Sequence, residues 1–308
     1  MALSALPRLQ PVAATHPAAR RYSRARRNLL PRHDRGTAVS GRWAHDLLLE
    51  TGAEVETFLW CPGERQLSSE VVDHAAAVAE TAASAYVVSE RTLTRLHPGL
   101  SAPALLSVVR LPTWRPQEVV TADAQLFLVA DGIEYAGNLG TLVRTADACG
   151  ADGLVLTNAD ARITHPKVFV ASRGTVLSLP VLEYADVRAA RRDLSGAGFT
   201  VYVADPAAAL SYREGAYAFG RSAFVVGSEG DGVCAEWRTP DLTRVSIPMH
   251  GTADSLNVAA SAAILLFEAR GQLDRSDSAQ PHTRQDSQTI PSLSASTYQS
   301  YSGSRPRL

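Results

Sequence analysis

The chain has 308 residues, of which 45% are hydrophobic and 20% are charged, and its formal net charge is −1. This composition indicates a globular protein with one large or two modest domains, and it excludes a chain that is polycationic along its whole length. The three cysteines are widely spaced, and neither a CxxC pair nor a histidine cluster with metal-ligand spacing occurs. We therefore expect a cytoplasmic protein with no metal site and no membrane partner.

The N-terminal segment, residues 1–35, is rich in Arg, Ala and Pro and contains a single acid, Asp34. This composition is typical of an organellar transit peptide and equally of a disordered basic arm that binds RNA, so both interpretations stay open. After it, residues 36–112 alternate between helical and strand-like patterns, which predicts a small α/β domain. The predicted helices span 40–50, 71–84 and 91–96, and the predicted strands span 55–60, 86–89 and 105–111. Residues 113–124 are expected to be a linker.

A second α/β domain is predicted over residues 125–272. Its strands read as near-continuous apolar runs and alternate with helices, which predicts a parallel sheet covered on both faces. The strands are expected at 126–130, 153–156, 199–203, 223–227 and 245–248, and the helices at 139–149, 168–172, 187–196 and 258–270. Residues 273–308 are polar and poor in apolar side chains, so we expect a disordered tail.

Three segments of this domain carry the pattern of a ligand site. In each, a strand gives way to small or polar residues: 131–146 with Asn138 and Arg144, 224–233 with glycines around Glu229, and 247–258 with Ser255 and Asn257. Asn138 can cap the following helix, and each segment could also be an ordinary turn or cap. Open α/β sheets bind ligands where such strand ends converge, so we predict one site built from all three.

The same residues resemble a known family. Asn138-x-Gly140-x3-Arg144-Thr145-Ala146, Gly227-Ser228-Glu229-Gly230, and Ile247-Pro248-Met249 with Ser255-Leu256-Asn257-Val258 are similar to the three ordered motifs of the SpoU (TrmH-type) RNA ribose 2′-O-methyltransferases of the SPOUT superfamily. The resemblance implies a trefoil-knotted α/β domain, S-adenosylmethionine as methyl donor, and a homodimer. Residues 173–180 further resemble the thiostrepton- and nosiheptide-resistance branch, and residues 36–112 are similar in layout to its L30e-like RNA-binding domain.

Residue roles follow from the resemblance. It implies that Arg144 is catalytic, that Asn138 orients Arg144 or the ribose, and that Glu229 and Ser255 hold the same cluster, while Asn257 supports the loop. Arg173 and Arg144 are candidates for RNA binding, and Arg173 could instead bind the methionine carboxylate. The cofactor pocket is expected to involve Ala204, Gly227, Ser228, Glu229, Gly230, Ile247, Met249 and Leu256.

The substrate implied by the resemblance is 23S rRNA, with protection against a thiopeptide antibiotic as a further possibility. A transfer-RNA methyltransferase and a non-catalytic RNA-binding protein of the same fold remain as alternatives.

Overall fold

The computed structural model describes residue 6 and residues 9–64, 66–217, 220–228 and 230–279. These residues form two β-sheets with helices packed on them. We call each sheet with its helices a unit, and one hydrophobic cluster contains residues of both units. The predicted α/β class is confirmed. Glu229, a predicted site residue, lies outside the described residues.

The first sheet is mixed, with the strand order β1-β4-β3-β5-β2. Its strands are β1 Gln10–Pro11, β2 Gly36–Ser40, β3 Val55–Cys61, β4 Ala85–Val87 and β5 Ala104–Arg110. The helices of this unit are α1 Pro17–Arg26, α2 Arg42–Thr51, α3 Ser69–Thr81 and α4 Glu90–Leu96. The predicted helices and strands of 36–112 are present with shifted ends, and β2 was missed.

The expectation of a disordered arm over residues 1–35 is wrong for the helix α1 and the strand β1. α1 buries Ala18, Ala19, Tyr22 and Ala25 against the first sheet. Arg21, on its flank, makes ion pairs of 2.6 Å with both Asp34 and Glu56. Apolar burial and paired charges together offset the entropy that ordering this segment costs.

The second sheet is fully parallel, with the strand order β11-β9-β10-β6-β7-β8. Its strands are β6 Leu126–Asp131, β7 Gly153–Thr157, β8 Val181–Tyr184, β9 Phe199–Ala204, β10 Arg221–Val226 and β11 Thr243–Val245. The helices are α5 Pro116–Val119, α6 Ala136–Ala148, α7 Pro166–Ala171, α8 Val187–Gly196 and α9 Val258–Ala279. α5 lies within the segment that was expected to be only a linker.

The central strand β6 shows why the parallel sheet was predictable. Leu126, Leu128 and Ala130 pack into one hydrophobic cluster, and Phe127 and Val129 pack into the cluster on the opposite face. A strand buried on both faces needs an unbroken apolar run instead of an alternating one.

Several predicted boundaries in this unit are corrected by the structure. β8, Val181–Tyr184, was not predicted. α6 begins at Ala136 with Tyr135 as its N-cap, so Asn138 lies inside the first turn and is not the cap. α9 continues to Ala279 and buries Leu273, so the tail does not begin at 273.

The two units dock directly on each other. The rings of Trp43 and Phe169 lie 5.6 Å apart, and the guanidinium of Arg173 sits 4.5 Å above the Trp43 ring. Gly174 has φ +81°, and a Cβ there would stand only 2.0 Å from Leu47 Cδ2. The positive φ, which residues with a side chain rarely adopt, therefore favours glycine at this contact between α2 and the loop after α7. Among the described residues, no helix is long and apolar enough to cross a membrane.

Candidate active site

A cavity of about 280 Å³ opens at the carboxyl ends of β9, β10 and β11. This is where the crevice of an open parallel sheet places its ligand. Described residues of two of the three predicted segments line it, together with the end of β9. The lining consists of Ala204, Asp205, Pro206, Val226, Gly227, Ser228, Gly230, Asp231, Gly232, Val245, Ile247, Met249, Asp254, Ser255, Leu256, Val258 and Ser261.

The structure brings together every described residue predicted for the cofactor pocket. Ser255, predicted to act in the chemistry, also lines the cavity. Sequence reasoning missed the three carboxylates Asp205, Asp231 and Asp254, which line the same space. Each of them is the direct sequence neighbour of a predicted residue, and this adjacency was the only sign in the sequence that they could line the cavity.

The loop after β10 is closed by its own backbone. Ser228 and Gly232 exchange two N–H···O=C hydrogen bonds of 3.1 Å each. A Cβ on Gly227 would lie 2.1 Å from the carbonyl carbon of Gly232. Glycine at 227 is therefore required for the loop to fold back on itself, and this tight turn shapes one wall of the cavity.

The buried carboxylate of Asp131, at the end of β6, fastens this loop to the sheet. Its Oδ1 accepts hydrogen bonds of 2.8 Å from Thr157 Oγ1 and from Asn158 Nδ2. Its Oδ2 accepts one of 2.7 Å from the backbone N–H of Cys234. Burial, with Asp131 and Glu236 nearby, raises the pKa of the Cys234 thiol to about 11, so this thiol is not a nucleophile at neutral pH.

The third segment reaches the cavity as a loop, because β11 ends at Val245 and not at Pro248 as predicted. The Ser246 N–H donates to the Leu210 carbonyl at 2.8 Å, and the Tyr212 N–H donates to the Ser246 carbonyl at 2.9 Å. These bonds hold the start of the loop, so that Ile247 and Met249 face the cavity.

Asn257 joins the third segment to the first. Its Oδ1 accepts a 3.0 Å hydrogen bond from the Ala259 N–H, which caps α9 as predicted for a supporting residue. Its Nδ2 lies 3.2 Å from Asn138 Oδ1 and donates to it. The starts of α6 and α9 are therefore tied together beside the cavity.

Arg144 and Arg173 lie away from the cavity lining. Arg144 is exposed on α6, and its guanidinium makes no hydrogen bond or ion pair with any residue that the structure describes. Arg173 has φ +56° and lies over Trp43, so it contributes to the contact between the two units. Within the described ranges, no group of three or more His, Cys, Asp or Glu residues could hold a metal ion.

The fold and cavity define an α/β protein with a cavity of small-ligand size at the carboxyl edge of a parallel sheet. The profile of the SpoU rRNA Methylase family matches residues 125–267. The chain is 31% identical over 199 residues to the 23S rRNA (guanosine(2553)-2′-O)-methyltransferase RlmP of Bacillus subtilis (strain 168), covering 62% of this chain and 75% of RlmP. The chain belongs to the SpoU rRNA Methylase family.

Solved structures agree with this assignment. The SpoU methyltransferase AviRb from Streptomyces viridochromogenes, in complex with the cofactor AdoMet, superposes with a TM-score of 0.71 at 26% identity, covering 83% of this chain and 98% of AviRb. An AdoMet-bound rRNA methyltransferase from Sinorhizobium meliloti gives a TM-score of 0.74 at 22% identity, over 87% of this chain and 99% of that one, which concerns the fold alone. The resemblance predicted from the motifs is confirmed, and with it the enzyme class, an RNA methyltransferase.

Proposed function

We propose that this chain methylates a ribose 2′-hydroxyl of 23S rRNA with S-adenosylmethionine as donor. The observation that carries the proposal is the single cavity lined by the cofactor residues of two motifs, with the first motif tied to it through Asn138 and Asn257. The similarity to RlmP, a 23S rRNA 2′-O-methyltransferase, and to AviRb in complex with AdoMet supports it.

The cavity suits S-adenosylmethionine, which supplies a methyl group already activated on a positively charged sulfonium. Ile247, Met249 and Leu256 offer apolar surface to its adenine and carbon chain. Among the described residues, the side chains of Asp231 and Asp254 make no ion pair, so they can hold the positive charges of this ligand. Asp205 is already paired with Arg244 at 3.1 Å.

Arg144 is proposed to bind the RNA phosphate beside the target nucleotide and to stabilise the oxygen that loses its proton. A guanidinium stays protonated in proteins, so Arg144 acts as a cation and donor instead of a base, and a phosphate or water accepts the proton. Asn138 and Asn257 hold the start of α6, and thereby the helix that carries Arg144. Glu229 and Ser255 are proposed to complete the cluster, and Ser255 is the one the structure describes at the cavity.

The finer features implied by the family are part of the same proposal. They comprise a trefoil knot in residues 125–272, a homodimer, a cytoplasmic location, an L30e-like RNA-binding role for residues 36–112 and a phosphate contact for Arg173. Protection against a thiopeptide antibiotic belongs with these features.

The decisive experiment incubates the protein with methyl-labelled S-adenosylmethionine and, separately, 23S rRNA and transfer RNA. We expect label in 23S rRNA, and a 2′-O-methyl nucleoside after nuclease digestion. Label in transfer RNA alone would reassign the substrate, and no transfer to either RNA would overturn the proposal.

A further inference from the structure

The helix α1 has a buried apolar face and an exposed basic face. Ala18, Tyr22 and Ala25 face the first sheet and are buried. Arg20 and Arg24, with Arg27 at the C-cap, follow at helical spacing on the opposite side, where all three are exposed. We call these three arginines the α1 basic face.

The arginines of this segment also differ in their partners. Arg21, beside the buried face, is held by two carboxylates, Asp34 and Glu56, at 2.6 Å. Arg20, Arg24 and Arg27 make no ion pair with any described residue. Arg24 and Arg27 each donate one hydrogen bond to a backbone carbonyl, of Leu29 and Ser23, and a guanidinium has five N–H donors. Most of the donors on the α1 basic face therefore remain available.

The α1 helix contains four arginines and no acid, although the whole chain has a net charge of −1. Favourable interaction with the helix C-terminus explains cations in the last turn, where Arg24 and Arg26 lie. It does not explain Arg20, which is in the first half of the helix, where the helix dipole opposes a cation. A ligand with regularly spaced negative charge would compensate this unfavourable placement.

We propose that the α1 basic face binds the phosphate backbone of the RNA substrate. The inference rests on the proposed function for the identity of the RNA. Successive arginines of the face lie about 4 to 6 Å apart along the helix axis, which allows each to meet a different phosphate of a flexible strand.

The segment that follows α1 contacts the second unit, residues 125–272. The segment after α1 is bound to that unit by Arg162, whose guanidinium donates to the carbonyls of Leu30 at 2.6 Å and Pro31 at 2.7 Å. Arg32 and Arg162 then line a cavity of about 260 Å³ between the two units. The segment that follows the α1 basic face therefore brings Arg32 beside the second unit.

An anionic membrane is the rival partner for a basic helix. Surface-lying membrane helices insert an apolar face into the lipid. The apolar face of α1 is already buried in the first sheet, which leaves no such face for a bilayer. The structure therefore favours a polyanion that is bound through charge alone.

The test compares the full chain with the triple variant Arg20→Gln/Arg24→Gln/Arg27→Gln. The matched control is Arg188→Gln/Arg192→Gln/Arg213→Gln, which removes three exposed arginines outside the α1 basic face. Binding to a 23S rRNA transcript is measured from about 50 to 300 mM salt. Each phosphate contact contributes about 0.7 to 0.9 to the slope of log K against log salt, so we expect a slope shallower by about 2 to 3 in the α1 variant only.

Further variants and readouts separate the outcomes. The Lys triple variant, Arg20→Lys/Arg24→Lys/Arg27→Lys, keeps the charge and should retain the wild-type slope. Methyl transfer by the Gln triple variant should show a raised KM for RNA with an unchanged kcat. An unchanged salt slope in a Gln triple variant of wild-type melting temperature overturns the inference, even if methyl transfer occurs.

Two remaining outcomes are equally informative. Binding of wild type to vesicles of anionic phospholipid, lost in the Gln triple variant while RNA binding persists, also overturns the inference. A wild-type protein that binds RNA through the α1 basic face but transfers no methyl group would instead refute the proposed function and leave this inference standing.

Discussion

Asp131 Oδ2 accepts a hydrogen bond of 2.7 Å from the backbone N–H of Cys234, 103 residues further along the chain. This single contact connects the end of the central strand β6 with the end of the loop that forms one wall of the cavity. The carboxylate is buried and all its described donors are neutral: a hydroxyl, an amide and a backbone N–H. Both oxygens of an ionised carboxylate accept hydrogen bonds, so Asp131 can satisfy these three donors at once.

The first prediction follows from this arrangement. In Asp131→Asn, one oxygen becomes an NH2 group that faces another donor, so at least one of the three bonds is lost. We expect a loss of about 1 to 3 kcal/mol in the free energy of unfolding and a raised Kd for S-adenosylmethionine. Denaturant titration and calorimetry measure the two effects. Asp123→Asn, on an exposed acid, is the control; equal behaviour of the two variants would contradict a positioning role.

The second prediction concerns two glycines of one loop. In Gly227→Ala the new methyl group would lie 2.1 Å from the carbonyl carbon of Gly232, which is a steric clash. A Cβ on Gly230 would meet no protein atom within 4 Å. Since overpacking typically costs about 1 to 3 kcal/mol, we expect Gly227→Ala to lower the melting temperature and weaken cofactor binding. Gly230→Ala should keep the wild-type melting temperature. A Gly227→Ala protein as stable as Gly230→Ala would show that the loop has room to shift.

The third prediction tests Arg144. Its side chain is exposed and does not line the cavity, so Arg144→Ala should leave the Kd for S-adenosylmethionine within about twofold, as expected for a surface substitution. Methyl transfer should fall by at least about 100-fold, the usual result of removing one electrostatic stabiliser. Single-turnover transfer and calorimetry separate the two quantities. Turnover at the wild-type rate would remove Arg144 from the site.

The fourth prediction concerns stability against pH. His45 is buried; its Nδ1 lies 2.8 Å from the Gly41 carbonyl oxygen and its Nε2 lies 2.9 Å from Ser107 Oγ. Burial lowers its pKa from 6.5 to about 4. The unfolded chain therefore binds a proton that the folded chain does not between pH 6.5 and about 4, so stability falls as the pH falls through this window.

The expected loss from His45 is up to about 3 kcal/mol across that window. Denaturant unfolding at pH 7 and pH 4.5 measures it. In His45→Gln the decrease between the two pH values should be smaller than in wild type, whereas the exposed His33→Gln should behave like wild type. Equal pH dependence in all three proteins would refute the assignment to His45.

Much of the catalytic unit was predictable because its signals are local. The strand β6 is a run of buried apolar residues, and α8 was predicted with its observed bounds, because an amphipathic helix follows Asp186, whose side chain accepts from the Arg188 N–H. All the described residues that were predicted for the cofactor pocket line one cavity. The order of the motifs along the chain is sufficient to predict that they meet, since parallel strands have their carboxyl ends at one edge of the sheet.

The boundaries that failed depend on contacts distant in sequence. The composition of residues 1–35 indicates disorder, yet α1 is ordered because its apolar face packs on the first sheet and Arg21 meets Asp34 and Glu56, 13 and 35 residues away. Asn138 was predicted as a helix cap, but three-dimensional packing places it opposite Asn257, across 119 residues.

The sequence by itself determined the α/β class, the family and part of the cavity lining, because apolar periodicity and short motifs are properties of neighbouring residues. Only the tertiary structure decided that Asp131 fastens the loop at Cys234, that Arg173 lies on Trp43, and that Arg21 of α1 is ion-paired whereas Arg20 and Arg24 are exposed. Each of these depends on which distant residues folding brings within a few ångströms, and hydrogen bonds and ion pairs lose their strength beyond that range.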